Sequence, residues 1–194
     1  MKPLAVHDPA VSTVFWLCAG GWAAFELVLA VRTRGAGGET RDRSFVPLTL
    51  TALAGLWLGL AVARTGDLVL PGPGWWPPAA GLGLFAAGLG LRAWAVHELG
   101  RFFRFTVVVQ PDHRVIDTGP YRRIRHPSYT GLLMAELGLG LALGTWLSIP
   151  GCLLPPLIGF GFRLRHEEKV LARELGEPYR AYMRRTRRLI PGVW

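Results

Sequence analysis

The stretch Arg125-His126-Pro127-Ser128-Tyr129-Thr130-Gly131, within GPYRRIRHPSYTG (119–131), decides how this chain is read. A run of charge passes there straight into apolar sequence. A second ionisable cluster, Arg163-Leu164-Arg165-His166-Glu167-Glu168, closes the apolar sequence that follows. Only Leu147 and its neighbours join the two apolar stretches between these clusters, 128–146 and 148–163. So short a join makes an antiparallel helical hairpin. The hairpin returns Glu167 and Glu168 to the level of Arg125 and His126. Two polar clusters at one end of an apolar hairpin have the layout of a reaction site at a bilayer surface.

The rest of the chain points to lipid as its solvent. Of 194 residues, 51% are hydrophobic and only 18% charged, an apolar excess that soluble domains of this size rarely show. The apolar residues fall in five runs, roughly 10–31, 47–63, 78–97, 128–146 and 148–163. Each approaches the length that crosses a hydrocarbon core of about 30 Å. Lipid offers the backbone no hydrogen-bond partner, so these runs are expected to be helices. The expected fold class is an all-α integral membrane protein with about five transmembrane helices, a cytoplasmic cofactor-binding loop and C-terminal amphipathic helices. One domain is expected over 1–194, with three N-terminal spans in 1–97 and a catalytic core in 98–194.

Charge sets the expected orientation. With five crossings, the segments after the first, third and fifth runs share one side, and with Arg92 and Arg163 counted among their charges they hold 20 of the 22 Lys and Arg residues. Only Lys2 and Arg64 fall on the other. The positive-inside rule then puts the amino terminus outside and the carboxyl terminus in the cytoplasm. A net charge of +9 in a nucleic-acid binder would form a basic face. Here the arginines border spans, where they anchor helices and meet anionic head groups, so no nucleic-acid partner is expected. The composition, rich in Ala, Gly, Arg and Trp, suggests a GC-rich bacterial genome, and the expected location is a bacterial inner membrane. No basic leader or cleavage site precedes run 10–31, which reads as a retained helix.

Smaller features fill in the plan. Glu26 lies within the first run, near its basic end, where reaching the interface or pairing with an Arg there is the favoured reading over a functional one. Loop 32–44 is Gly-rich and polar, hence flexible. Gly55 and Gly59 suit close helix contact. Trp75 and Trp76 suit an interfacial aromatic anchor. Cys18 and Cys152 lie inside runs and read as small buried hydrophobes; no Cys or His spacing for a metal exists, and none is expected. Residues 98–127 are too apolar for a solvated linker and are expected to fold over the site, with a short extended piece at 105–109. Ser128 is a candidate cap for the fourth helix, and Pro155 and Pro156 are expected to kink the fifth. The tail reads as one helix from Arg165 that Gly176 ends, and a second that Pro178 begins. It is expected to lie along the head groups or cover the site.

The residues themselves suggest a ligand. Glu167 and Glu168 can bind an ammonium or ribose hydroxyls. Tyr121 and Tyr129 offer ring faces that attract cations such as a sulfonium. Gly119 and Gly131 let backbone approach a ligand closely. Arg125 or Arg163 can hold a carboxylate with two hydrogen bonds. Together they suit a zwitterionic, aromatic cofactor with a positive centre, as S-adenosylmethionine is. Each has a structural alternative: His126 as a helix-start residue, the paired Glu as first-turn acids, Tyr129 as a belt residue. It is their convergence on one face that favours a site.

The segments LGRFFRFTVVVQPDHRVIDTGPYRRIRHPSYTGLL and RLRHEEKVLARELGEPYRAYMRRTRRLIPGVW, roughly 98–194, resemble the isoprenylcysteine carboxyl methyltransferase family, grouped with the membrane phospholipid methyltransferases. The resemblance implies a membrane methyltransferase that uses S-adenosylmethionine, releases S-adenosylhomocysteine and lacks a soluble Rossmann domain. It implies cofactor contacts from His113, Val115, Tyr121, Arg125, His126, Pro127, Tyr129, Glu167 and Glu168, to which the residue reading adds Gly119. Arg163 would steady an acceptor carboxylate, with Arg125 as the other candidate. Glu136, inside the fourth run, either faces a substrate tunnel or pairs with a neighbouring helix; it becomes interesting as a base if the acceptor is an amine. The expected partner is a lipophilic acceptor from the bilayer, prenylcysteine-like or isoprenoid, entering between spans. Phospholipid amine methylation, a membrane reductase and a non-enzymatic membrane protein are the alternatives.

Overall fold

The structure, a computed structural model, describes residues 2–33, 45–106 and 112–190. The Gly-rich loop beyond Thr33, and residues 107–109 of the expected extended piece, lie outside these. The helices are α1 (Leu4–His7), α2 (Pro9–Thr33), α3 (Phe45–Thr65), α4 (Trp76–Leu99), α5 (Pro127–Ala142), α6 (Ser148–Glu174) and α7 (Glu177–Arg185), with 3-10 turns at Gly100–Phe102 and Gly119–Arg122. Among the described residues there is no strand, only two isolated bridges.

Pro9–Thr33, Val46–Thr65 and Trp76–Phe102 are long and apolar enough to cross a membrane. Leu17, Trp57, Ile158 and Phe162 point outward, each more than half exposed. Water would penalise so large an apolar surface, whereas lipid does not. The molecule is therefore an all-helical integral membrane protein.

Small residues set its centre. A Cβ at Gly88 would lie 2.5 Å from the Gly131 carbonyl oxygen, and one at Gly131 the same distance from that of Gly88. Such contact is open only to glycine, and it draws α4 and α5 together along their length. Gly131 thus serves helix packing and not ligand approach, contrary to expectation. Gly55 meets the backbone of Cys152 in the same way, joining α3 to α6. Cys18 and Cys152 are both free thiols.

The hairpin forms as expected. Ser148 N–H donates to Thr145 Oγ1 at 3.0 Å, and Ser148 Oγ donates to the Gly140 carbonyl at 2.7 Å. Gly144, at φ +78°, turns the chain between them. The loop before α4 seals this end: Leu70 N–H donates to Gly144 and Trp146 N–H to Leu68.

Two local expectations change. Ser128 caps nothing; the N-cap of α5 is His126, without a side-chain cap, and Ser128 Oγ accepts from Arg92 instead. The first tail helix is not separate, since α6 runs unbroken from Ser148 through Pro155 and Pro156 to Glu174. Gly176, at φ +64°, then breaks the chain, and Pro178 stands in the first turn of α7 as anticipated.

Candidate functional site

A cavity of about 540 Å³ opens between these helices. Its floor is α5, which presents His126, Tyr129, Leu132 and Glu136 at helical spacing. Across from it α6 contributes Phe160, Arg163 and Glu167, one to two turns apart. The loop after α4 supplies Phe102, Phe103, Phe105, His113 and Val115, so it does fold over the site. Tyr179 and Tyr182 of α7 close the polar end. At the other side Leu27 of α2 and Leu53 of α3 line the cavity while remaining at least half exposed, and these two helices barely touch. The cavity is therefore open to the lipid-facing surface there.

The two polar clusters meet. His126 Nε2 lies 3.3 Å from Glu168 Oε1, and His126 Nδ1 lies 3.8 Å from Glu167 Oε1. Tyr129 donates its hydroxyl proton to Glu167 at 2.7 Å and accepts from Arg163 Nε at 3.2 Å. Arg163 also donates to the Phe105 carbonyl at 2.6 Å, which ties the folded-over loop to α6. The His126 and Tyr129 rings lie 5.6 Å apart, and Tyr129 meets Phe160 edge-on at 5.1 Å.

The paired acids face different ways, because consecutive helical residues point about 100° apart. Glu167 borders the cavity. Glu168 is buried behind the wall, taking hydrogen bonds from Arg125 Nε at 2.8 Å and Arg188 Nε at 3.0 Å. Burial raises the Glu168 pKa, but the hydrogen bonds and charges of His126 and Arg125 outweigh it and hold the group at about 2. Arg125 donates in addition to the carbonyls of Met183 and Thr186 at the end of α7. The tail completes this clamp: Arg125 N–H donates to Arg187, His126 N–H to Arg188, and Thr130 Oγ1 to Leu189.

Of the expected site residues, His113, Val115, Tyr121, Arg125, His126, Tyr129, Glu136, Arg163 and Glu167 all line this one cavity. Gly119, Pro127 and Glu168 do not. Gly119 turns the backbone at φ +53° beneath Glu98, and Pro127 opens α5. His113 stacks on Phe102 at 4.8 Å, and its buried Nδ1 has no partner among the described residues. Burial lowers the His113 pKa against the opposing charge of Asp112, so the ring is neutral at pH 7. Tyr121 is pushed up, by burial first and then by Glu167.

Sequence reasoning missed one pair. Arg92 was counted with the loop charges, yet it is 2% exposed inside α4. Its Nε and an amino group donate to the two Glu26 oxygens, both at 2.5 Å, and Trp22 Nε1 donates to Glu26 at 3.2 Å. All three side chains reach the cavity wall. Glu26 does pair with an Arg, as favoured. The signal for its mate was the presence of Arg92 inside the apolar run 78–97.

Comparison with known proteins agrees with this fold. Residues 81–173, which carry α5 and most of α4 and α6, match the model of the isoprenylcysteine carboxyl methyltransferase (ICMT) family. Over those residues the chain is similar to that family. It is 28% identical over 161 residues to protein-S-isoprenylcysteine O-methyltransferase A of Arabidopsis thaliana, a match covering 81% of each chain. It is 29% identical over 121 residues to the B protein of the same plant, spanning 61% of that protein's length. A solved structure of the eukaryotic intramembrane Ras methyltransferase ICMT shares the fold, with TM-score 0.58 at 23% identity, over 79% of this chain and 54% of that one.

Proposed function

We propose that this chain is an S-adenosylmethionine-dependent membrane methyltransferase that esterifies the carboxylate of a lipophilic acceptor, prenylcysteine-like or isoprenoid. The observation that carries the reading is the cavity bounded by Arg163, Tyr129 and Glu167 at one end and open between α2 and α3 to the lipid side. A cofactor-sized chamber, apolar along most of its wall with a polar end and an apolar side door, suits an acceptor that is largely hydrocarbon beyond its reacting head.

The residues present fit the cofactor. The cavity falls within the range of roughly 300–1,000 Å³ usual for small-molecule sites. The neutral His113, stacked on Phe102 with its Nδ1 unpaired, suits an adenine. Glu167 suits ribose hydroxyls or an ammonium, and the Tyr129 and His126 rings suit a sulfonium. When bound, S-adenosylmethionine supplies a methyl group already activated toward in-line displacement. The protein therefore contributes position and field. Arg163, fixed by Phe105 and Tyr129, orients the acceptor carboxylate with its guanidinium. A carboxylate is a nucleophile at neutral pH, so no base is required. The tail clamp through Arg125 and Glu168 holds Tyr179 and Tyr182 over the polar end and excludes water. The same reading takes α2 to α6 as five crossings, with the amino terminus outside and the carboxyl terminus in the cytoplasm.

Incubating the purified chain with methyl-labelled S-adenosylmethionine and lipid carboxylic acids tests this. Label that mild base releases is the expected result, because methyl esters hydrolyse. Label that resists base marks an N-methyl product and a different acceptor. No incorporation overturns the reading.

A further inference from the structure

Glu136 stands apart from every network described above. It is 1% exposed, and neither carboxyl oxygen has a hydrogen-bond partner among the described residues. It lines the cavity on the face of α5 that also carries Tyr129 and Leu132. It is seven positions beyond Tyr129, which places it about 10 Å further along the helix axis, away from the polar end. The polar side chains that share the wall are engaged elsewhere. Trp22 donates to Glu26, Arg92 to Glu26 and Ser128, and Arg163 to Phe105 and Tyr129. A buried carboxyl group without a partner is costly, and such groups inside membranes mark substrate paths.

We propose that Glu136 is a specificity-determining residue: it hydrogen-bonds a hydroxyl, or another neutral donor, carried on the acceptor's chain about 10 Å from its reacting head. This rests on the reading of the cavity as the acceptor site and narrows the acceptor class. The acceptor is then a lipid acid with a polar group part-way along its chain, not a plain hydrocarbon. A chain without that group would seal Glu136 against hydrocarbon, and sites built around a hydrogen bond reject analogues that lack it. Tyr129, Leu132 and Glu136 form a ruler on α5, reading head group, hydrocarbon and donor in turn.

The test uses the full chain in lipid nanodiscs with two acceptors. One is an N-acetylated S-prenylcysteine with an all-hydrocarbon chain. The other is its twin with a hydroxyl about 10 Å from the carboxylate. The unmodified protein is expected to favour the hydroxylated twin about tenfold in kcat/KM. Glu136→Leu is expected to abolish or invert that ratio, and Glu136→Gln, of the same shape, to weaken it. Calorimetric binding of S-adenosylhomocysteine verifies that each variant is folded; if only Glu136→Gln folds, its ratio decides. Equal use of the two acceptors by the unmodified protein overturns the inference while leaving the methyltransferase reading in place. So does a ratio that survives substitution. Methylation of neither acceptor overturns both.

Discussion

α5 and α2 both line the cavity, but they are held in opposite ways. α5 is locked by backbone-to-backbone approach at Gly88 and Gly131, by the Thr145–Ser148 turn at one end and by the tail clamp at the other. α2 is packed along its N-terminal half, where Phe15 and Ala19 are buried and Trp22 meets Phe85 edge-on at 6.0 Å. Its C-terminal half is tied by polar contacts, chiefly Glu26 to Arg92, with Arg104 donating to the Thr33 carbonyl at 3.1 Å. Hydrophobic contact drives little helix association in lipid, because the alternative solvent is equally apolar. What remains is close packing of small residues or direct polar bonds. The chain uses the first where the candidate site side chains of α5 need fixed positions, and the second beside the lipid-facing opening.

Breaking the close packing gives the largest effect. Gly131→Leu sets a side chain against the Gly88 carbonyl and Arg92 backbone, neither of which can yield without parting α4 from α5. Loss of folded protein is expected, read as aggregation on size-exclusion chromatography in detergent. Recovery of a monodisperse, donor-binding Gly131→Leu protein would mean that the helices are not held by backbone approach.

Breaking the polar tie is expected to cost less and to act locally. Arg92→Met leaves Glu26 half-enclosed without its cation, and removing one partner of a buried pair costs about 3–5 kcal/mol. Glu26→Gln with Arg92→Met, which removes both charges, is expected to recover much of that loss. Thermal unfolding of the two variants side by side measures it. Equal destabilisation would show that the pair contributes shape and not charge.

The two modes of attachment were not equally legible in the sequence. The long helices, the hairpin and the return of the acids to His126 follow from local patterns: run lengths, a short join, a Pro at a helix start. The Gly176 stop was equally plain. The Glu26–Arg92 tie joins residues far apart in the chain, and no periodicity announces a partner at that distance. α6 was divided at Arg163 because hydropathy changes there, but the change is of solvent, not of backbone, and the helix continues. Glu167 and Glu168 were read as one motif. The 100° step between helical neighbours separates them, one toward the cavity and one toward the tail.

That separation gives the smallest and most specific prediction. Glu168 is held at a pKa of about 2, well below its ordinary 4.5, so its folded-state value is depressed. A depressed carboxylate stabilises the fold fully above its unfolded pKa and loses that contribution as pH falls toward the folded value. The window is therefore between about pH 4.5 and about 2. Glu168→Gln keeps the shape but removes the charge that gathers Arg125, Arg188 and His126, at a cost of about 2 kcal/mol at neutral pH. Thermal melts across that acid window are expected to fall steeply for the unmodified chain and more gently for the variant, the two curves converging near pH 2. Glu167→Gln, on a partly exposed acid that faces the cavity, is expected to weaken binding of S-adenosylhomocysteine while leaving the acid slope in place. If both variants flattened the slope alike, the neighbouring acids would be acting together, and the division between a binding carboxylate and a clamping one would fail.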